Sequence, residues 1–289
     1  MRAELVLDVR CGLGEGPVWD ESGGRLYWVD IMAGRVHRWK PGTEGVETME
    51  TCEPVGAAAL RMQGGLVLAL QSGFALAETF GGARERLASC EGASPDLRMN
   101  DGKCDPAGRF WAGTMAFDFR PGAGALYRLD PDGTVARVLD GVTISNGMDW
   151  TADGTRMYYI DSPRRTIDVL DFDPERGLIS GRRTVAAIPE DAGLPDGMTL
   201  DEEGRIWVAL WSGGAVRCYS PEGKLLEVVE VPASQTTSCC FGGEDLGVLY
   251  ITSARDGLSQ EQLEREPGAG GVFAVRCGAR GRPMRRFAG

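Results

Sequence analysis

The sequence predicts an all-β fold, a six-bladed β-propeller of four-stranded antiparallel blades with a central metal site, on three observations. Glycine is the compositional outlier, with 42 among 289 residues, which suits many tight turns between short strands. Turns centred near Gly23, Gly64, Gly108, Gly154, Gly204 and Gly243 recur at about 40 to 50 residues, the blade period of a propeller. Four segments also repeat one arrangement: a polar residue, a short apolar strand, then a tight glycine turn. They read E-G-P-V-W-D-E-S-G from Glu15, N-D-G-K-C-D-P-A-G from Asn100, N-G-M-D-W-T-A-D-G from Asn146 and D-G-M-T-L-D-E-E-G from Asp196. In each, an Asp or Thr of the turn (Asp20, Asp105, Thr151, Asp201) falls five residues after the polar side chain. A shared register in repeated hairpins puts Glu15, Asn100, Asn146 and Asp196 at equivalent places. Oxygen donors from distant parts of a chain converge on one hard cation in this way.

The elements follow in order. Leu5 to Val9 pairs with the strand V-F-A-V-R-C near Val272, so the last blade mixes both ends of the chain. Each repeated turn leads into a second strand, R-L-Y-W-V-D, R-F-W-A-G, R-M-Y-Y-I-D or R-I-W-V-A-L. Further pairs complete the blades: V-H-R-W-K with G-V-E-T-M-E, A-L-Y-R-L-D with T-V-A-R-V-L-D, and A-V-R-C-Y-S with L-L-E-V-V-E-V. Ser259 to Gly271 is polar and forms a helical turn or a loop. No linker divides the chain, so residues 1–289 are expected to be one propeller domain, which answers the edge-strand problem by radial repetition. The first strand of each unit has small apolar residues and is placed innermost, its start facing the channel mouth. Gly56 and Thr237 stand at the matching place in the other two units, and there the channel is expected to open toward substrate.

Composition narrows the function. With 43% hydrophobic and 25% charged residues a folded domain is expected. A net charge of −11 argues against nucleic acid or an anionic membrane surface as partner. The first residues lack the apolar core of a signal peptide and no apolar run reaches membrane-span length, so a cytoplasmic protein is expected. Arg276, Arg280, Arg282, Arg285 and Arg286 are expected to form a solvated terminus. The eight cysteines show no C-x-x-C pair or framework spacing and read as reduced, mostly buried thiols. The one histidine, His37, lies among charged neighbours on a strand, and alternation puts it at the surface. A His-rich zinc site is excluded. With no clustered cysteines, the channel metal is expected to be held by oxygen.

At these residues the chain resembles the gluconolactonase/regucalcin family, also called the senescence marker protein family. The matching segments are G-L-G-E-G-P-V-W from Gly12, R-M-N-D-G-K from Arg98, G-R-F-W-A-G-T-M from Gly108, S-N-G-M-D-W from Ser145, L-P-D-G-M from Leu194 and T-T-S-C-C-F-G-G from Thr236. They run in order across nearly the whole chain. The resemblance implies a six-bladed propeller, one divalent cation and hydrolysis of a lactone. It implies Glu15, Asn146 and Asp196 as metal ligands, Arg98 and Asn100 facing substrate with Asp101 nearby, and Asp118, in F-D-F after G-T-M-A, as a substrate contact.

Two carboxylates and one amide oxygen suit Ca²⁺ first, with Mg²⁺, Mn²⁺, Zn²⁺ and Fe²⁺ as alternatives. Asp196 is the expected general base or proton shuttle and Asp101 the runner-up. Arg98 is expected to hydrogen-bond a developing oxyanion or a sugar hydroxyl. Asn100 contacts either the metal or a hydroxyl. The six tryptophans of the blade strands, Trp211 among them, are assigned to the core, and Phe117 and Phe119 line a pocket mouth or pack their loop. The expected function is metal-dependent hydrolysis of a sugar lactone, an aldonolactone such as glucono- or xylonolactone, by a monomer or weak homo-oligomer. The competing readings are a phosphotriesterase-like propeller hydrolase and a non-catalytic calcium-binding propeller.

Overall fold

The second strands of the repeated units have apolar residues on both faces, which a strand requires only when both faces are covered. In the computed structural model, which describes residues 1–90 and 94–289, they lie inside six four-stranded antiparallel sheets arranged as a propeller. Five blades are consecutive, spanning 14–50, 55–88, 97–142, 145–187 and 194–230. The sixth combines Thr236–Gly242, Val248–Ser253 and Val272–Val275 with the first strand of the chain, Glu4–Leu7. Glu4–Leu7 pairs antiparallel with Val272–Val275, closing the ring as the sequence predicts. The first strand of every blade lies at one edge of its sheet, on the channel, and the last strand lies at the rim.

The core sits between blades. Phe110–Ala116 is buried along its whole length, whereas the rim strand Leu225–Glu230 buries Val229 and leaves Leu225, Leu226 and Val228 exposed. Aromatic side chains meet edge to face across the blade interfaces. Phe74 packs on Phe110 at 5.9 Å between ring centroids, Trp111 on Trp150 at 5.8 Å and Trp207 on Phe241 at 5.6 Å.

Two of the turn aspartates of the repeat, Asp105 and Asp201, have a common task. Asp105, fully buried, accepts hydrogen bonds from Ala107 N at 2.9 Å, Arg109 N at 3.0 Å, Arg109 Nε at 2.5 Å and Trp111 Nε1 at 2.9 Å. Asp201 repeats this with Glu203 N, Arg205 N, Arg205 Nε and Trp207 Nε1 at 2.6 to 3.0 Å. The pattern D-x-x-G-R-x-W is thus a turn whose one carboxylate satisfies two backbone donors, a guanidinium and an indole.

Two expectations are corrected by how blades and termini pack. His37 is buried: its ring stacks on Trp28 at 5.2 Å and its Nδ1 hydrogen-bonds with Thr48 Oγ1 at 2.9 Å. Alternation assumes one solvated face, and here both faces of Arg35–Trp39 are covered. The basic C-terminus is solvated only at Arg276 and Arg280, which are exposed; Arg282, Arg285 and Arg286 belong to a strap across the turn ends of the inner strands. Arg282 Nη2 donates to Trp150 O at 2.8 Å, Arg285 Nη2 to Thr151 O at 3.0 Å and Arg286 Nη2 to Asp20 Oδ1 at 2.7 Å. Phe287 N donates to Leu60 O at 2.8 Å, and its ring is buried in the core of the second and third blades. Within the segment expected to be a helical turn or a loop, Gln260–Arg265 is helical and starts at a Ser259 capping box. Among the described residues all eight cysteines are free thiols, with Cys52 exposed and Cys277 half-buried. No helix of the described residues is long and apolar enough to cross a membrane.

Candidate active site

Every inner strand breaks its pairing register at the same place. The irregularities fall between Glu15 and Val18, Val55 and Ala57, Met99 and Gly102, Ser145 and Met148, Pro195 and Met198, and Thr236 and Ser238. A bulge bends a strand and re-aims a side chain that would otherwise lie flat against a neighbouring sheet. Four of these bulges lie at the repeated polar positions, at the end of the channel opposite the strap, and the other two lie at Gly56 and Thr237. Their glycines also let blades close in. A Cβ on Gly147 would meet Asp196 O at 2.6 Å, and one on Gly197 would meet Ser238 Oγ at 2.1 Å.

Glu15, Asn100, Asn146 and Asp196 are all buried, at 4%, 6%, 4% and 6% exposure. Asn146 Nδ2 donates to Ser162 Oγ at 2.9 Å, which turns its carbonyl oxygen the other way. Asn146 Oδ1 and Asp196 Oδ1 are buried and have no hydrogen-bond partner among the described residues. Glu15 Oε2 accepts from Gly16 N at 2.7 Å. Asn100 is occupied differently: Nδ2 donates to Ser145 O at 2.8 Å and Oδ1 accepts from Arg98 Nη1 at 2.7 Å. Arg98 Nη1 also donates to Met99 O at 3.0 Å. Asn100 therefore holds the guanidinium of Arg98, while Glu15, Asn146 and Asp196 line the same cavity, two of them with unpartnered oxygens among the described residues.

The electrostatics agree with a missing positive charge. Burial pushes the Glu15 carboxyl well above the usual range, and the charges of Asp196 and Asp101 push it further. Asp196 is raised in the same way, by burial and then by Asp101. Burial lowers Arg98 to about 10, with Glu15 and Asp196 acting in the opposite sense. Three buried carboxyls near one arginine, with two orphaned oxygens, are costly as they stand. A divalent cation would satisfy those oxygens and neutralise Glu15 and Asp196, so the residues fit a hard-cation site.

Above this floor opens a cavity of about 500 Å³. Glu15, Arg98, Asn100, Asn146 and Asp196 line its base, and Met32, Phe117, Phe119 and Trp211 stand among its walls. Trp211 was assigned to the core from its strand position. It lies at the end of Ile206–Trp211, and second strands run antiparallel to the inner ones, so their last residues return to the channel mouth. That rule could have found Met115 and Ser162 as well, which also line the cavity. Asp118 is not brought into this cavity. It is exposed between Phe117 and Phe119 and pairs with Arg120 at 3.0 Å, which holds its carboxyl below the usual range together with the Arg120 backbone amide. Asp101 lies deeper in the channel, where it accepts from Gly102 N at 2.7 Å and shares a small cavity with Lys103 and Met198. Burial raises its carboxyl too.

Gly56 and Thr237 do not open the channel. A Cβ on Gly56 would meet the Met99–Asn100 backbone at 2.5 to 2.7 Å, so that blade abuts its neighbour. Thr237, fully buried, donates from Oγ1 to Gly14 O at 2.5 Å and bridges the sixth blade to the first. Neither lines the large cavity, whose lining comes from the first, third, fourth and fifth blades and from Asp256 and Gly257 of the sixth.

Comparison with known proteins agrees with the propeller fold. The model of the SMP-30/Gluconolactonase/LRE-like region matches residues 13–255. Regucalcin from Xenopus laevis is 42% identical, over 100% of this chain and 99% of its own length. Human regucalcin is also 42% identical, over 95% of this chain and 94% of its own. Among solved structures, a luciferin-regenerating enzyme superposes with a TM-score of 0.92 at 32% identity, covering 99% of both chains. A calcium-binding regucalcin from Agrobacterium tumefaciens superposes at 0.94 with 29% identity, covering 99% of this chain and 97% of that one. Family match, full-length relatives and the shared propeller together make this chain a member of the SMP-30/gluconolactonase/LRE-like family.

Proposed function

We propose that this protein hydrolyses a sugar lactone, an aldonolactone such as glucono- or xylonolactone, to the aldonic acid, using one divalent cation held by Glu15, Asn146 and Asp196. The observation that carries the reading is the pair of orphaned oxygens, Asn146 Oδ1 and Asp196 Oδ1, beside buried Glu15 at the base of a large cavity. A divalent cation bound there supplies carbonyl polarisation and a water of lowered pKa. Asp196 takes one proton of the attacking water and returns it to the ring oxygen as the lactone C–O bond breaks, leaving a hydroxyl and a carboxylic acid, which then loses its proton to solvent. Arg98, held by Asn100 and Met99 O, offers its remaining N–H groups to the developing oxyanion or to ring hydroxyls. The aromatic walls exclude bulk water and strengthen these interactions.

Ca²⁺ is the cation we assign first, because two carboxylates and an amide give a hard, all-oxygen set. The Agrobacterium relative bears the description of a calcium-binding protein, which favours a second reading in which the same residues bind Ca²⁺ without turnover. A panel of lactones assayed by acid release, with metals added back singly to chelated protein, separates the two. Hydrolysis that appears only with added cation is the expected result. Hydrolysis unchanged by chelation would remove the metal from the mechanism, and cation binding without hydrolysis of any lactone would leave the calcium-binding reading.

A further inference from the structure

A second cluster of metal-ligating side chains lies inside the first blade, outside the channel cavity. Cys11, Asp30 and His37 are 2%, 5% and 8% exposed, and one ligand atom from each lies within 4.8 Å of the others. His37 uses Nδ1 against Thr48 Oγ1, so Nε2 is left buried and without a hydrogen-bond partner among the described residues. Trp28 Nε1, on the ring that stacks against His37, is unpartnered as well. A buried orphaned nitrogen beside a thiol and a carboxylate calls for a further group between them.

The fourth blade shows what this position looks like without such a group. Register places Val142, Asp161 and Asp168 where the first blade has Cys11, Asp30 and His37. Asp161 accepts from Thr143 N at 3.2 Å and Ile144 N at 2.9 Å, as Asp30 accepts from Gly12 N at 2.9 Å and Leu13 N at 3.0 Å. That clamp is common to the two blades and leaves each carboxylate oxygen lone pairs to spare. Asp168 accepts from Thr184 at 2.9 Å, as His37 bonds Thr48, and its charge is met by Arg182 Nε at 2.6 Å. In the first blade nothing meets His37 Nε2, and a thiol replaces the methyls of Val142.

We propose that Cys11, Asp30 and His37 form a second metal site, for a thiophilic divalent cation such as Zn²⁺, distinct from the oxygen site of the channel. Sulfur, imidazole and carboxylate donors suit Zn²⁺. On binding, the Cys11 S–H bond breaks, the metal–sulfur bond forms and the proton leaves to solvent. Thiolate and Asp30 carboxylate together cancel the 2+ charge, so the buried site is neutral with His37 uncharged. Trp28 N–H is then placed to donate to the thiolate. The two sites sort cations by softness: hard ions to the channel and soft ions to the blade.

The test is a titration of the full-length protein with Cd²⁺ or Co²⁺, with Ca²⁺ present in excess to occupy the channel. Exposed Cys52 and half-buried Cys277 are first alkylated under native conditions. One equivalent should bind with a thiolate-to-metal charge-transfer band and release one proton. Cys11→Ser should lose the band, and Asp196→Asn should keep it. Absence of the band from alkylated wild type overturns the proposal, and so does a band that persists in Cys11→Ser. The wild-type spectrum decides the matter even where a variant folds poorly, since a water between His37 and Trp28 would give no band.

Discussion

At the scale of single residues, Asp196 carries the most. Its carboxyl is buried and raised, so the folded, metal-free protein keeps a proton that the unfolded chain gives up near pH 4. Stability is therefore lost as pH rises from that value through the folded pKa, and Asn at this position escapes the loss. Without metal, Asp196→Asn should melt above wild type at neutral pH, and the difference should vanish below about pH 4. With saturating Ca²⁺ the order should reverse, because wild type gains more binding free energy than a variant with one carboxylate fewer. Calorimetry across pH, with and without Ca²⁺, checks both halves. The same variant should lower lactone turnover by about 10²- to 10⁴-fold, the usual effect of losing a positioned general base. Full activity in a variant that still binds metal would remove Asp196 from that role. For Arg98→Lys the expected outcome is a lower kcat with metal affinity retained, since an ammonium cannot reproduce a guanidinium held on one nitrogen by Asn100 and Met99 O. Steady-state kinetics beside calcium titration tests this. That Glu15, Asn146 and Asp196 share one cavity was legible in the sequence because a shared offset is a local property of a repeat. That Asn100 serves Arg98 was not legible, since an amide's partners are decided by the neighbouring blade, here through Ser145 O.

At the scale of the element, the inner strands of the third and fifth blades do two jobs with one irregularity and one turn. The bulge carries a side chain that lines the cavity, and the turn aspartate locks the hairpin that carries it. Removing one partner of a buried ion pair leaves the other charge uncompensated. Asp105→Ala strands Arg109, which is buried at 6% exposure, and the Trp111 indole. A loss of about 3 to 5 kcal/mol in urea unfolding is expected, with calcium stoichiometry unchanged because Asp105 lies at the far end of the strand. The blade period and the hairpins could be read from glycines and alternating residues. Gly56, Thr237 and His37 were misjudged for one reason: each is defined by contact with another strand's covered face or the adjacent blade, and pattern within a segment carries no record of that contact. Asp118 sits beside two cavity-lining phenylalanines, yet Phe119 takes a positive φ of 59° and the loop turns the carboxylate out to Arg120.

At the scale of the whole molecule, the strap ties the propeller together on the face away from the site. It contacts turns of the first, second, third and fourth blades, and Phe287 fills the core between the second and third. Phe287→Ala should cost about 3 to 5 kcal/mol, as deletion of a large buried ring does. Its effect on kcat should be small, and thermal melting beside lactone kinetics tests the separation. Under the strap, burial pushes Asp149 up but Lys103, Arg282 and Arg285 more than offset it, so the carboxylate stays ionised. The strap was hidden in the sequence because five arginines near a terminus look the same whether they face water or backbone carbonyls.

The closure of the sixth blade also sets a timetable. Glu4–Leu7 is made well before the strand it pairs with, Val272–Val275. At elongation rates of about 5 to 20 residues per second the stretch between them takes tens of seconds to synthesise. For that interval the nascent chain carries an unpaired strand and an incomplete ring behind it. Exposed residues Glu4, Leu5 and Val6 wait beside five blades that have no sixth. The protein is thus most open to mispairing with a second nascent copy until Val272–Val275 is made and pairs with Glu4–Leu7.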